Sequence, residues 1–141
     1  MSNHPNETIK VVGKQHKTVG SDLFNMKLSR HCLATLIVDD DAKLYDSEGF
    51  KKAVSQILAK ENVVYLGDVT HNFDNNSYTI AIALAESHIS VHTWPERFAV
   101  QLDVFLCNYI NDNTEKCERI FDGIVDYFGA TEVDRVYINR L

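Results

Sequence analysis

Between Tyr78 and Trp94 the chain lays two strand-like segments almost end to end, and that closeness restricts the fold more than any other feature. Tyr78 to Ala85 is almost wholly apolar, as expected of a strand buried in the middle of a sheet. Ser87 to Trp94 alternates instead. His88, Ser90 and His92 fall on one face, Ile89 and Val91 on the other, until Pro95 breaks the run. Another strand reads from Phe98 to Cys107. A parallel return needs a crossover of a dozen or more residues, and no such length exists here, so these strands must pair antiparallel.

The flanks supply the rest of the architecture. Leu28, Cys32, Ala34, Leu36 and Val38 stand at even spacing and predict a first strand. Phe50, Ala53, Val54, Ile57 and Leu58 recur at helical spacing, with Asp46 or Ser47 as the cap and Asn62 as the exit. Val63 to Leu66 opens a strand, and Asp74-Asn75-Asn76-Ser77 is a turn. Asp112 or Asn113 opens a second helix, with Glu115 placed for a capping box. The core stripe of that helix is Cys117, Ile120, Phe121, Ile124, Val125 and Phe128, and Gly129 ends it. A last strand carries Val133, Val136 and Ile138. The expected fold is an α+β two-layer sandwich, a mainly antiparallel sheet with two helices on one face. The other face is expected to be apolar and to need a partner.

With 141 residues the chain predicts one domain with an adequate core. The formal charge of −6 and a pI near 5.4 exclude an extended phosphate-binding surface, so no nucleic-acid partner is expected. Three widely spaced cysteines are neither a disulfide framework nor a CxxC knuckle, which points to a reducing compartment. No apolar run approaches the ~20 residues needed to span a bilayer, and the first ten residues carry no apolar leader, so the expected location is cytoplasmic, without membrane association. Residues 1–25 are polar and aperiodic. They are expected to form an extension, disordered or docking late, in which Ile9 to Val12 would suit a short added strand. Asp39-Asp40-Asp41 reads as a solvated turn, because no further ligand pattern follows it.

Chemistry concentrates in Glu86-Ser87-His88-Ile89-Ser90-Val91-His92-Thr93-Trp94-Pro95-Glu96. A zinc site would need a third ligand at suitable spacing, and none is present. A hydrolase nucleophile would need the glycines of a GxSxG elbow, which Ala-Glu-Ser-His-Ile lacks. The plain alternative is the polar outer face of an edge strand, and alternation by itself does not decide against it.

Ala85-Glu86-Ser87-His88, then His92-Thr93-Trp94-Pro95-Glu96, then Asp103-Val104-Phe105-Leu106-Cys107 resembles the signature of the prokaryotic S-adenosylmethionine decarboxylases. The likeness runs from about Met26 to Leu141 and includes Ser29-Arg30-His31 and His71-Asn72-Phe73. It implies a self-processing enzyme whose cofactor is a pyruvoyl group made from Ser87. The Ser87 hydroxyl would attack the Glu86 carbonyl, the amide would become an ester, elimination would cut the chain between Glu86 and Ser87 and leave dehydroalanine, and hydrolysis would turn that residue into the pyruvoyl group. His92 is implied as the processing base, with Thr79 and His88 in support. The histidine pKa near 6.5 suits proton abstraction at neutral pH. The pyruvoyl carbonyl would hold the substrate amine as a Schiff base and draw electrons as the carboxylate leaves. Cys107 is implied as the acid that returns a proton to the substrate carbon. Glu96 would accept from the ribose hydroxyls, Phe73 would stack on adenine and face the sulfonium, and Trp94 would be a further substrate contact. Cys32 and Cys117 read as core residues.

The resemblance therefore implies conversion of S-adenosylmethionine to its decarboxylated form for spermidine synthesis, by a homodimer of cleaved protomers packed sheet to sheet. Residues 26–141 would form the pyruvoyl decarboxylase domain. Two departures bear on the substrate. Ile37-Val38-Asp39 stands where the family has Tyr-Gly-Cys, and Arg97-Phe98 where it has Tyr-Gly after the HTWPE run. L-ornithine or L-arginine is the alternative substrate, and an inactive regulatory paralogue is the alternative outside catalysis.

Overall fold

The computed structural model describes residues 8–12, 28–108 and 111–140. Its strands are β1 (Thr8–Val12), β2 (Ser29–Val38), β3 (Tyr65–Asn72), β4 (Tyr78–Leu84), β5 (Ser87–Trp94), β6 (Ala99–Leu106) and β7 (Ala130–Arg140). Its helices are α1 (Ser47–Lys60) and α2 (Thr114–Phe128), with 3-10 turns at Ala42–Tyr45 and Pro95–Arg97. The strands form a single sheet in the order β1-β7-β2-β6-β5-β4-β3. Every pairing from β7 to β3 is antiparallel, and β1 joins β7 in parallel. The expected two-layer sandwich is therefore the fold, and Thr8–Val12 adds an edge strand from within the N-terminal extension. The remainder of that extension lies outside the described residues.

The helices cover one face because their apolar stripes match the inward positions of the sheet. Phe50, Val54 and Leu58 of α1 are buried, as are Cys117, Ile120, Phe121, Ile124 and Phe128 of α2. They pack on Leu36, Ile80, Ile82, Ile89, Val91, Val100, Leu102 and Val104. At ~25 cal/mol per Å² of apolar surface this cluster is the main favourable term in folding. The Asp46 carboxylate accepts from Gly49 N–H at 2.9 Å and caps α1 as its sequence predicts. Asn62 leaves α1 with φ 57°, and Gly129 closes α2 with φ 65°, a conformation that glycine adopts without strain.

Three local expectations change. Strand β3 begins at Tyr65 rather than Val63, since Val63 turns into the core while Val64 is exposed. No capping box forms at α2. Asn113 holds the N-cap position, its side chain makes no cap bond, and Thr114 N–H is taken by Asp112 at 3.1 Å. The helix-free face is not apolar: its central strands present His88, Ser90, His92, Gln101 and Asp103 beside Leu33 and Phe105. The period of 2 that buries Ile89 and Val91 sends these polar neighbours to the opposite side.

Candidate active site

The Glu86–Ser87 junction lies at a hairpin end. Leu84 and Ser87 face each other across β4 and β5, so Ala85-Glu86 is the whole loop. Two-residue hairpins favour turns with positive φ at the first loop position, usually glycine or asparagine. Neither Ala85 nor Glu86 has positive φ. The unusual angle falls on Ser87, at φ 144°. That region is costly for a residue with a Cβ, about 1–3 kcal/mol, and such strain persists only where neighbours over-determine it.

The neighbours are identifiable. The Glu86 carbonyl accepts the Cys107 N–H at 2.9 Å. The Glu86 carboxylate accepts the Asn113 amide, which also donates to the Cys107 carbonyl at 2.9 Å. Ser87 Oγ lies 3.1 Å from His88 Nδ1. The His88 ring packs on Phe105 and, edge-on, on His31, with centroids 5.7 and 5.9 Å away. The residue following β6 thus reaches the junction because β6 pairs with β5 and sets Leu106 opposite Ser87. Cys107 is a half-buried free thiol at this corner.

His92, Phe73, Trp94 and Glu96 gather elsewhere. They line a cavity of 320 Å³ together with Asn75, Ser77 and Thr93. The His92 ring lies 4.5 Å from Trp94 and 5.7 Å, edge-on, from Phe73. Thr79 Oγ1 bonds His92 Nδ1 directly across the β4–β5 pair, which fixes the imidazole against the strand. Trp94 Nε1 donates to Gln101 at 3.1 Å, and the Arg97 guanidinium lies 5.8 Å from the Trp94 ring centroid as a rim cation. A carboxylate and three aromatic rings around one cavity suit a ligand with a flat base, hydroxyls and a positive charge.

These two groups sit at opposite ends of β5. Ser87 and His92 are five residues apart on one extended strand, which is a separation of roughly 16 Å. A single protomer therefore does not bring His92 to Ser87. It brings His88, Cys107 and Asn113 there instead.

The sequence assigns no site role to two residues near this junction, Asn113 and His31. Asn113 reads only as a helix-opening residue, and its contact with Glu86 exists only once α2 is docked. His31 is buried with Nε2 unpartnered, and burial holds its pKa below the ordinary 6.5. Cys32 and Cys117 are fully buried, with sulfurs 3.8 Å apart. The Cys117 thiol, and then burial, push the Cys32 pKa up, which leaves it an inert core thiol. Among the described residues no cluster of three or more His, Cys, Asp or Glu side chains could hold a metal ion, and no helix is long and apolar enough to cross a membrane.

The family model described as S-adenosylmethionine decarboxylase matches residues 30–141. An S-adenosylmethionine decarboxylase proenzyme of Archaeoglobus fulgidus is 31% identical over 115 residues, which cover 82% of this chain and 99% of that one. One from Prochlorococcus marinus (strain MIT 9313) is 33% identical over 91 residues, covering 64% of this chain and 73% of its own. Among solved structures, the crystal structure of the adenosylmethionine decarboxylase from Aquifex aeolicus superposes with a TM-score of 0.72 at 28% identity, covering 82% of this chain and 92% of that one.

Proposed function

The chain belongs to the S-adenosylmethionine decarboxylase family, and on that premise we propose that it cuts itself between Glu86 and Ser87 and then decarboxylates S-adenosylmethionine for spermidine synthesis. The observation that carries the self-cleavage is the junction itself. A strained serine follows a carbonyl already held by a backbone N–H, and its hydroxyl lies within 3.1 Å of an imidazole nitrogen.

Each residue then has a physical task. Ser87 Oγ attacks the Glu86 carbonyl carbon. The carbonyl oxygen gains negative charge, and the Cys107 N–H already points at it, as an oxyanion donor must. The C–N bond breaks, the amine keeps the proton that the hydroxyl loses, and the chain is joined through an ester. Removal of the Ser87 Cα proton expels Glu86 with a new main-chain carboxylate, which severs the chain and leaves dehydroalanine at position 87. Its imine tautomer then takes up water and releases the nitrogen as ammonia, giving the pyruvoyl group. Rotation out of φ 144° releases backbone strain along this path. His88 is the base within reach of Ser87 in the protomer, and Thr79 holds His92 in a set orientation. The pyruvoyl group left at position 87 supplies the electron sink for the departing carboxylate. Cys107, beside the junction, is the acid that returns a proton to substrate. Phe73, Trp94 and Glu96 bind the adenosyl portion and its sulfonium.

The roughly 16 Å between Ser87 and the aromatic cavity is spanned by a second copy. With the helix-free faces packed together and the two-fold axis crossing the strands, each copy's β5 runs antiparallel to the other. The cavity of one then meets the cleavage corner of its partner. The polar His88, Ser90, His92, Gln101 and Asp103 on that face suit a shared, functional interface better than a purely adhesive one. The enzyme is thus a cytoplasmic homodimer of processed chains acting on a small molecule.

The test is intact mass, light scattering and carbon dioxide release on the purified protein. Two chains, residues 1–86 and a pyruvoyl-bearing 87–141, in a dimer that decarboxylates S-adenosylmethionine are expected. A persistent 16.0 kDa species, a monomer at micromolar concentration, or release from L-ornithine or L-arginine alone would overturn the respective part.

A further inference from the structure

We propose that Asn113 is a positioning residue for self-cleavage, acting through Glu86 and Cys107. This rests on the reading that the chain cuts itself at Ser87.

An asparagine at a helix N-cap ordinarily turns its side-chain oxygen to the backbone N–H groups of the first turn. Asn113 occupies that position and makes no such bond. Its side chain points away from its helix and is almost fully buried, at 1% exposure. The Nδ2 donates to the Glu86 carboxylate and, at 2.9 Å, to the Cys107 carbonyl. The Cys107 N–H in turn donates to the Glu86 carbonyl at 2.9 Å. The four groups close a ring: Glu86 carboxylate, Asn113 amide, Cys107 peptide, Glu86 carbonyl. Asn113 is itself held from behind, since its own N–H donates to Asn108 Oδ1 at 2.7 Å and the Asn108 N–H donates to buried Ser29 at 2.8 Å.

The consequence is geometric. The carbonyl under attack belongs to Glu86, and its oxyanion donor is the Cys107 N–H. One amide grips the far end of Glu86 and the other side of the Cys107 residue, so acceptor carbon and donor keep one relative position while Ser87 is forced to φ 144°. Without that grip the two-residue loop is free to relax Ser87 toward ordinary φ and to draw the carbonyl away from its donor. A displacement of about 1 Å in an attack geometry costs on the order of 10²-fold in rate.

The experiment follows cleavage after cell-free synthesis, by intact mass and denaturing electrophoresis during a chase. Asn113→Asp is nearly isosteric and remains a good N-cap, but it sets a carboxylate against Glu86 and removes the donor. Cleavage should slow on the order of 10²-fold, with helix content and melting close to wild type. The paired change Glu86→Gln with Asn113→Asp returns a donor to the contact with its direction reversed. It should cleave at least about tenfold faster than Asn113→Asp alone. A residue that only stabilised α2 would give no such rescue. Asn113→Ser, too short to reach Glu86 yet competent to cap, should also slow cleavage and covers the case in which Asn113→Asp fails to fold. Wild-type rates in Asn113→Asp or in Asn113→Ser, or slowing of Asn113→Asp that Glu86→Gln does not relieve, would overturn the assignment while leaving self-cleavage intact. A wild-type chain that never cleaves would remove both.

Discussion

Ser87→Gly and Ser87→Ala should separate strain from chemistry at the proposed cleavage point. Neither variant has a hydroxyl, so both remain whole and can be compared as intact chains. The alanine variant keeps a Cβ and so keeps the cost of φ 144°, about 1–3 kcal/mol. The glycine variant is relieved of that cost but loses about 0.4–1 kcal/mol through a freer unfolded chain. Ser87→Gly should therefore be more stable than Ser87→Ala by about 1.5 kcal/mol. A chain of 141 residues has an unfolding entropy of roughly 0.3 kcal/mol per kelvin at ~2.1 cal/mol/K per residue, so the difference is about 5 °C in Tm. Scanning calorimetry on the two variants at equal protein concentration measures it, equal concentration being needed because a dimer's Tm depends on it. If Ser87→Ala melts at or above Ser87→Gly, Ser87 is not strained and the junction is not poised in the way its backbone implies.

Two further outcomes follow from the same geometry. Cys107→Ala keeps the backbone N–H that faces the Glu86 carbonyl, so cleavage should persist, while carbon dioxide release, measured on fully cleaved protein, should fall about 10²–10⁴-fold through loss of the proposed acid. His31 is buried and neutral with its pKa below 6.5, lowered chiefly by burial and raised in part by Asp103. The unfolded chain binds the extra proton first as pH falls, so stability is lost from about pH 6.5 downward until the folded pKa is passed; His31→Phe should lose less Tm than wild type between pH 7 and pH 5.

Order, type and inward face of the elements were legible in the sequence because they follow from near neighbours. Asp46 caps α1 with its own side chain, Asn62 and Gly129 leave helices by positive φ, and the alternation from His88 to Trp94 needs only the pleat. The chemical stretch was legible for a different reason: the proposed cleavage demands adjacent residues, Glu86 and Ser87, whatever the fold. Tertiary structure decided the rest. That β2 lies between β7 and β6 depends on pairings between residues far apart in the chain, from Ile37 with Ala99 to Ser29 with Arg140, which no local period encodes. Ser87 and His92 stand close in sequence yet roughly 16 Å apart on an extended strand, while Glu86 is far in sequence from both Cys107 and Asn113 and bonded to both in space. A hydrogen bond ignores chain separation and responds only to distance and angle, so the grip on Glu86 came into view only once α2, β5 and β6 were set against one another.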